Sequence, residues 1–143
     1  MTISPTTPLI LDSNEYIFGL SGTKLSCQQL IDSLDKLNIF IPLMVLREVE
    51  RNLRQLYRLD NAFFSLINLH PNLSVVWTPP PELLIKRYQA RGFPPEDAAI
   101  AATAQEVGVT YLISENRHFL RQVGQLSFEV IAAETALKLL TKS

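Results

Sequence analysis

The chain has 143 residues, 47% of them hydrophobic and 19% charged, with a formal net charge of −1. Such values fit one globular domain with enough chain for a core, and they exclude a disordered tail, a fibrous repeat and a protein that coats nucleic acid by charge alone. No window reaches the ~18 unbroken apolar residues of a membrane span, and a single cysteine, Cys27, makes no intramolecular disulfide, as suits a reducing cytosol.

In chain order, Met1 to Pro8 carries neither a positive charge nor an apolar stretch, so it reads as a loose lead-in without a secretory signal. Leu9-Ile10-Leu11 is a buried-strand pattern ending on Asp12, and a helical stretch follows. Cys27 to Leu37 places Leu30, Ile31, Leu34 and Leu37 at helical spacing. Asn38 to Ile41 reads as a second strand, halted by Pro42. Leu43 to Tyr57 is the strongest amphipathic segment, and Leu59 to Leu69 a further helix. Leu73 to Trp77 is a third strand, closed by Pro79-Pro80-Pro81. Glu82 to Arg91 forms a helix stopped by Gly92, and Pro94-Pro95-Glu96-Asp97 opens an alanine-rich helix to Val107. Thr110 to Ser114 and Phe128 to Ile131 are the last strands, and Ala132 to Leu140 a closing helix. Strands alternating with helices imply a parallel sheet covered on both faces. We expect one domain over residues 1–143, with its ligand site just beyond the carboxyl ends of the strands.

Asp12, Glu48, Asp97 and Asn116 all fall in that zone. Each acid also has a plain structural role open to it. Asp12 suits a helix N-cap, Asp97 the positive end of a helix dipole, and Glu48 a surface pair with Arg47 or Arg51. At about 100° per residue, Val45, Leu46, Val49, Leu53 and Leu56 form one face of the third helix. Arg47, Arg51, Arg54 and Arg58 form a basic stripe opposite, Glu48 lies at its boundary, and Glu50 is placed to pair with Arg54. Asp97 shares a face with Ile100, Ala101 and Ala104, where an unpartnered charge is costly. Tyr57 and Phe119 read as core residues, and His118 as a surface or helix-cap residue.

Should Asp12, Glu48 and Asp97 converge, repulsion decides what else must be present. Two carboxylates ~4 Å apart repel by roughly 4 kcal/mol at an effective dielectric of 20. Protons, arginines or a divalent cation must offset this. All-oxygen ligation suits Mg²⁺ or Mn²⁺. A zinc site is not expected from one cysteine and two histidines, His70 and His118, that share no ligand spacing. A Gly-x-Ser-x-Gly elbow and a glycine-rich phosphate loop are both absent from the sequence.

The ordered set Leu9-Ile10-Leu11-Asp12-Ser13-Asn14, Pro42-Leu43-Met44-Val45-Leu46-Arg47-Glu48, Pro95-Glu96-Asp97-Ala98-Ala99-Ile100-Ala101-Ala102 and Tyr111-Leu112-Ile113-Ser114-Glu115-Asn116-Arg117-His118-Phe119 resembles a PIN domain. It is similar to the small, single-domain prokaryotic kind typified by VapC toxins, over essentially the whole chain. The resemblance implies a three-layer α/β/α domain with a parallel sheet. It also implies a Mg²⁺- or Mn²⁺-dependent endoribonuclease with Asp12, Glu48 and Asp97 as metal ligands. Asn116 stands where the family has a fourth acid, so it joins the catalytic set as a departure, with Ser114 and Glu115 as candidate support. Arg47, Arg51, Arg54 and Arg58 become candidate RNA contacts. The expected partners are an RNA substrate, a cognate antitoxin and a second copy of the chain, with no membrane and a cytoplasmic location. The rival function is a catalytically weak or inactive PIN-like module that binds RNA or protein. A haloacid-dehalogenase-type phosphatase would want Asp-x-Asp where this chain has Asp12-Ser13-Asn14. A receiver domain would want a lysine where it has Ser114 to Arg117.

Overall fold

The computed structural model describes residues 2–121 and 126–140. In chain order these form β1 (Pro8–Leu11), α1 (Ser13–Ser21), α2 (Leu25–Asp32), a tight turn at Leu34–Lys36, β2 (Asn38–Pro42), α3 (Leu43–Asn52) running into a widened turn at Leu53–Tyr57, and α4 (Asp60–Leu69). There follow β3 (Leu73–Val76), α5 (Glu82–Ala90), α6 (Pro95–Val107), β4 (Tyr111–Ile113), α7 (Arg117–Leu120), β5 (Glu129–Ile131) and α8 (Ala133–Leu139). The apolar triplets of β1 and β4 are fully or nearly fully buried, as strands covered on both faces require.

All strand pairs are parallel, in the order β3-β2-β1-β4-β5. The chain therefore steps outward from β1 to β3, then returns to the other side of β1. This reversal leaves a crevice between the carboxyl ends of β1 and β4. Register then sets what lies there. Leu11 pairs with Ile113, so Asp12 and Ser114 emerge side by side, and the Asp12 N–H still bonds Ile113 O at 2.8 Å.

The right-handed crossovers that parallel strands take would put the helices of the β1-to-β3 half on one face and α5 to α7 on the other. Packing agrees: α1 lies on α2 and α3, α2 on α8, and α5 on α6, while α3 also touches α6. The expected three-layer α/β/α arrangement is the one observed. At the α1–α2 crossing the backbones approach closely. A Cβ on Gly19 would lie 2.8 Å from Cys27 O and inside the Ile31 side chain.

Several local expectations need correction. Ile3, in the stretch read as a loose lead-in, is fully buried, and its N–H bonds Leu139 O at 2.6 Å. The long helix expected over Cys27–Leu37 is α2 plus the tight turn, although Leu30, Ile31, Leu34 and Leu37 are buried as foreseen. The Leu43–Tyr57 helix stops being regular at Leu53, and Arg58 takes a left-handed conformation with φ 55°. That widening rotates the last turn off the core. Leu56 is consequently 66% exposed and Tyr57 39% exposed, and Arg58 falls outside the helical stripe. Phe119 is core, as its pattern indicated.

Candidate active site

Asp12 caps the amino end of α1. It is almost buried, with Oδ1 accepting from the Ser13 N–H at 2.8 Å and Oδ2 from the Ser114 hydroxyl at 2.7 Å. Burial raises its carboxyl above the ordinary range. The Ser114 and Ser13 hydrogen bonds oppose that rise, and the negative charges of Asp97 and Glu115 add to it. Asp12 thus fills the N-cap role open to it in the sequence.

Glu48 approaches from α3. Its Oε2 accepts from the Ser13 hydroxyl at 2.9 Å, and the surface pair with Arg51 or Arg47 does not form among the described residues. Ser13 therefore joins the first two acids, its N–H on Asp12 and its Oγ on Glu48. Asp97 comes from the first turn of α6, half-buried, with Oδ2 accepting from Asn116 Nδ2 at 3.3 Å. Burial raises its pKa, the Asn116 amide and His118 oppose the shift, and Glu96 and Glu48 reinforce it. The charge of Asp97 thus acts on Asp12, and that of Glu48 on Asp97.

Asn116 and Glu115 hold different parts of the fold. Asn116 Oδ1 accepts from the His118 N–H at 2.9 Å, capping α7, and its Nδ2 faces Asp97. Its N–H also bonds Ser114 Oγ at 3.0 Å. Both ends of the amide are occupied by protein groups, so Asn116 braces Asp97. Glu115 points away from Asp12 into the fold. It accepts from Lys24 Nζ at 2.8 Å and from the Ala133 N–H at 3.0 Å. Although burial works against it, hydrogen bonds from Glu15, Lys24 and Ala133 hold its carboxyl below the ordinary range. In a β-like stretch successive side chains alternate in direction, which separates Glu115 from Ser114 and Asn116.

Met44, Arg47, Glu48, Arg51, Glu96 and Ile100 line a groove between α3 and α6. Arg54 is tied to Glu50 at 2.5 Å, the pair foreseen from spacing, and Arg58 has left the helix. Of the four expected basic residues, Arg47 and Arg51 reach the groove.

A family model for the PIN domain matches residues 9–125. The chain belongs to the PIN domain family. No curated protein matches it in sequence. Among solved structures this PIN domain is similar to PAE2754 of Pyrobaculum aerophilum, at 18% identity over 93% of this chain and 95% of that one, with TM-score 0.63. It is also similar to VapBC2 of Rickettsia felis, solved bound to a DNA fragment from its promoter, at 14% identity over 88% and 98% with TM-score 0.61. VapC20 of Mycobacterium tuberculosis, a sarcin-ricin loop cleaving toxin, aligns at 16% identity over 73% and 86% with TM-score 0.54. At such identities the likeness is one of fold.

Sequence reasoning missed two groups. Ser13 stands within the Leu9–Asn14 motif with no pattern that marks it, yet it is the donor shared by Asp12 and Glu48. Glu15 was passed over, yet its carboxyl is fully buried against Cys27 and Glu115. A lone acid inside the apolar helix Tyr16-Ile17-Phe18-Gly19-Leu20 was the available signal.

Proposed function

We propose that this PIN domain is a Mg²⁺- or Mn²⁺-dependent endoribonuclease, with Asp12, Glu48 and Asp97 holding the cation. The observation that carries the reading is Asp12 itself, a nearly buried carboxylate at the β1–β4 crevice on which the charge of Asp97 acts, as that of Glu48 acts on Asp97. Among the described residues these three do not bring ligand oxygens within 4.8 Å of one another as a set. Mutual repulsion accounts for that spacing, and a cation that retains several waters tolerates it. Oxygen-only donors fit a hard cation, which would polarise a phosphate and lower the pKa of its bound water.

The chain's own residues supply positioning. Ser114 and the Ser13 N–H fix Asp12, the Ser13 hydroxyl fixes Glu48, and Asn116 fixes Asp97. Hydrogen bonds of this kind limit the rotation of each acid, and those on Asp12 and Asp97 oppose the rise that burial causes. Arg47 and Arg51 line the adjoining groove, where guanidinium groups suit a phosphate backbone. We read the chain as one domain over residues 1–143, acting in the cytoplasm as the toxin of a toxin–antitoxin pair. The VapBC and VapC structures of like fold support that role. Exposed Leu56, Tyr57 and Phe64 where α3 meets α4 support a homodimer.

Cleavage of structured RNA should require Mn²⁺ or Mg²⁺ and fall roughly 10³-fold in Asp12→Asn, the scale of removing one preorganised stabilising group. Equal cleavage by wild type and Asp12→Asn would remove the site assignment. A second reading, a module that binds RNA or protein without cutting, is favoured by Asn116 at the family's fourth acidic position. It predicts RNA binding with no cleavage at any Mn²⁺ concentration.

A further inference from the structure

Behind the crevice lies a second group of ligating atoms that the proposed nuclease chemistry does not use. Glu15 from α1, Cys27 from α2 and Glu115 from the β4–α7 connection bring one ligand atom each within 4.8 Å of one another. Glu15 and Cys27 are fully buried, and Cys27 Sγ lies 2.9 Å from Glu15 Oε2. The other oxygen, Glu15 Oε1, is buried without a hydrogen-bond donor. The polar group it meets is the carboxyl of Glu115, which is itself an acceptor. Two facing carboxyl oxygens in a low-dielectric interior must share a positive species, either a proton or a cation.

The surroundings distinguish this group from an ordinary acid pair. Burial and the Glu115 carboxyl push Glu15 up to about 9, and burial pushes the Cys27 thiol up as well. Lys24, at the surface end, reaches in to Glu115 Oε1 at 2.8 Å while its own side chain stays about half exposed. The cluster therefore has a cationic lid on a flexible stem. Tetrahedral donors around zinc stand about 3.5 Å apart, given Zn–O near 2.0 Å and Zn–S near 2.3 Å. The three atoms lie within 4.8 Å of one another, a range that includes that spacing, and Cys27 Sγ and Glu15 Oε2 would part from 2.9 Å to reach it.

We propose that Glu15, Cys27 and Glu115 form a binding site for a borderline divalent cation of the zinc class, separate from the carboxylates at Asp12. The cation replaces the proton between the two carboxyls and the proton of the Cys27 thiol, and Lys24 swings out to solvent. One thiolate and two carboxylates select Zn²⁺ or Co²⁺ over Mg²⁺, which takes oxygen donors and keeps its waters. Occupancy fastens α1 and α2 to the β4–α7 connection and to the start of α8 through the Ala133 N–H on Glu115. Ser114 and Asn116, the braces of Asp12 and Asp97, flank that fastening in the chain.

The test is Co²⁺ titration of the metal-stripped full chain, followed by absorption. One equivalent should produce a thiolate-to-cobalt charge-transfer band in the near ultraviolet. Zn²⁺ should bleach it, and excess Mg²⁺ should not. Cys27→Ser should lose the band while keeping the far-ultraviolet circular dichroism of the folded chain. Glu15→Gln and Glu115→Gln should each weaken Co²⁺ binding by roughly 10–100-fold. Asp12→Asn should leave the band in place, which separates this site from the proposed nuclease centre. Absence of the band at millimolar Co²⁺ would overturn the proposal and leave a proton-sharing pair. A band equally strong in both glutamine variants would overturn it too, since a lone thiol would then be the ligand.

Discussion

Asp12 and Glu15 lie three residues apart at the start of α1, yet their carboxyls meet opposite surroundings. Asp12 is held by a hydroxyl and an N–H, and the acids it faces stand off from it. Glu15 is offered a thiol and another carboxyl, with one oxygen left without a donor. In the crevice, neutral donors oppose the rise that burial causes at Asp12 and Asp97, and the acids stand apart. In the interior, acids without enough donors close up around whatever positive species they can share. The difference shows that carboxylate count alone does not set an acid's state; the supply of hydrogen-bond donors around it does as well.

Substitutions at the two regions should separate these regimes. The largest effect is expected at the crevice. Asn116→Ala removes the amide that braces Asp97 and the cap of α7, and should lower RNA cleavage by roughly 10–100-fold. Asn116→Asp keeps the cap and adds a charge, so restored or increased cleavage at higher Mn²⁺ would mark the position as able to ligate. If Asn116→Ala cleaves like wild type, the brace is irrelevant to the site.

Next in size is a pH effect at Glu15. Its folded pKa of about 9 lies above the ordinary 4.5. Between those values the folded chain holds a proton that the unfolded chain has lost. The contribution of this group is therefore complete below about pH 4.5 and falls as pH rises towards 9, by at most about 1.4 kcal/mol per pH unit. Urea unfolding in metal-free buffer at pH 5.5 and 8.5, compared between wild type and Glu15→Gln, should show a flatter pH dependence in the variant. Parallel curves would mean that Glu15 titrates normally.

A smaller effect falls where the helices carrying Glu15 and Cys27 meet. Gly19→Ala drives a methyl group against Cys27 O and Ile31, so it should cost about 1–3 kcal/mol in chemical denaturation. A neutral result would show that α1 and α2 can part without loss.

Much of the fold was legible because the signals are local. The triplets Leu9-Ile10-Leu11 and Tyr111-Leu112-Ile113 announce strands buried on both faces. Pro95 and Gly108 bracket α6, where Gly108 sits at φ 81° and its N–H bonds Ala104 O. Asp12, Glu48 and Asp97 were legible as acids beyond strand ends or on half-buried helix faces. The widened turn at Leu53–Tyr57 was not, because a run of good helix formers continues through it and the departure depends on tertiary packing. Arg58 and Tyr57 were misplaced for that reason. The joining of Glu15 to Glu115 spans 100 positions and depends on the β1–β4 register, which no local pattern carries. Likewise, only the direction of Glu115 in the built chain shows that it supports α8 and not Asp12.

The central claim is that Asp12 anchors a divalent cation, and calorimetric titration of Mn²⁺ into wild type and Asp12→Asn tests it most directly. The account predicts saturable Mn²⁺ binding by wild type that Asp12→Asn loses, with both proteins equally folded. Indistinguishable Mn²⁺ binding by the two would contradict it.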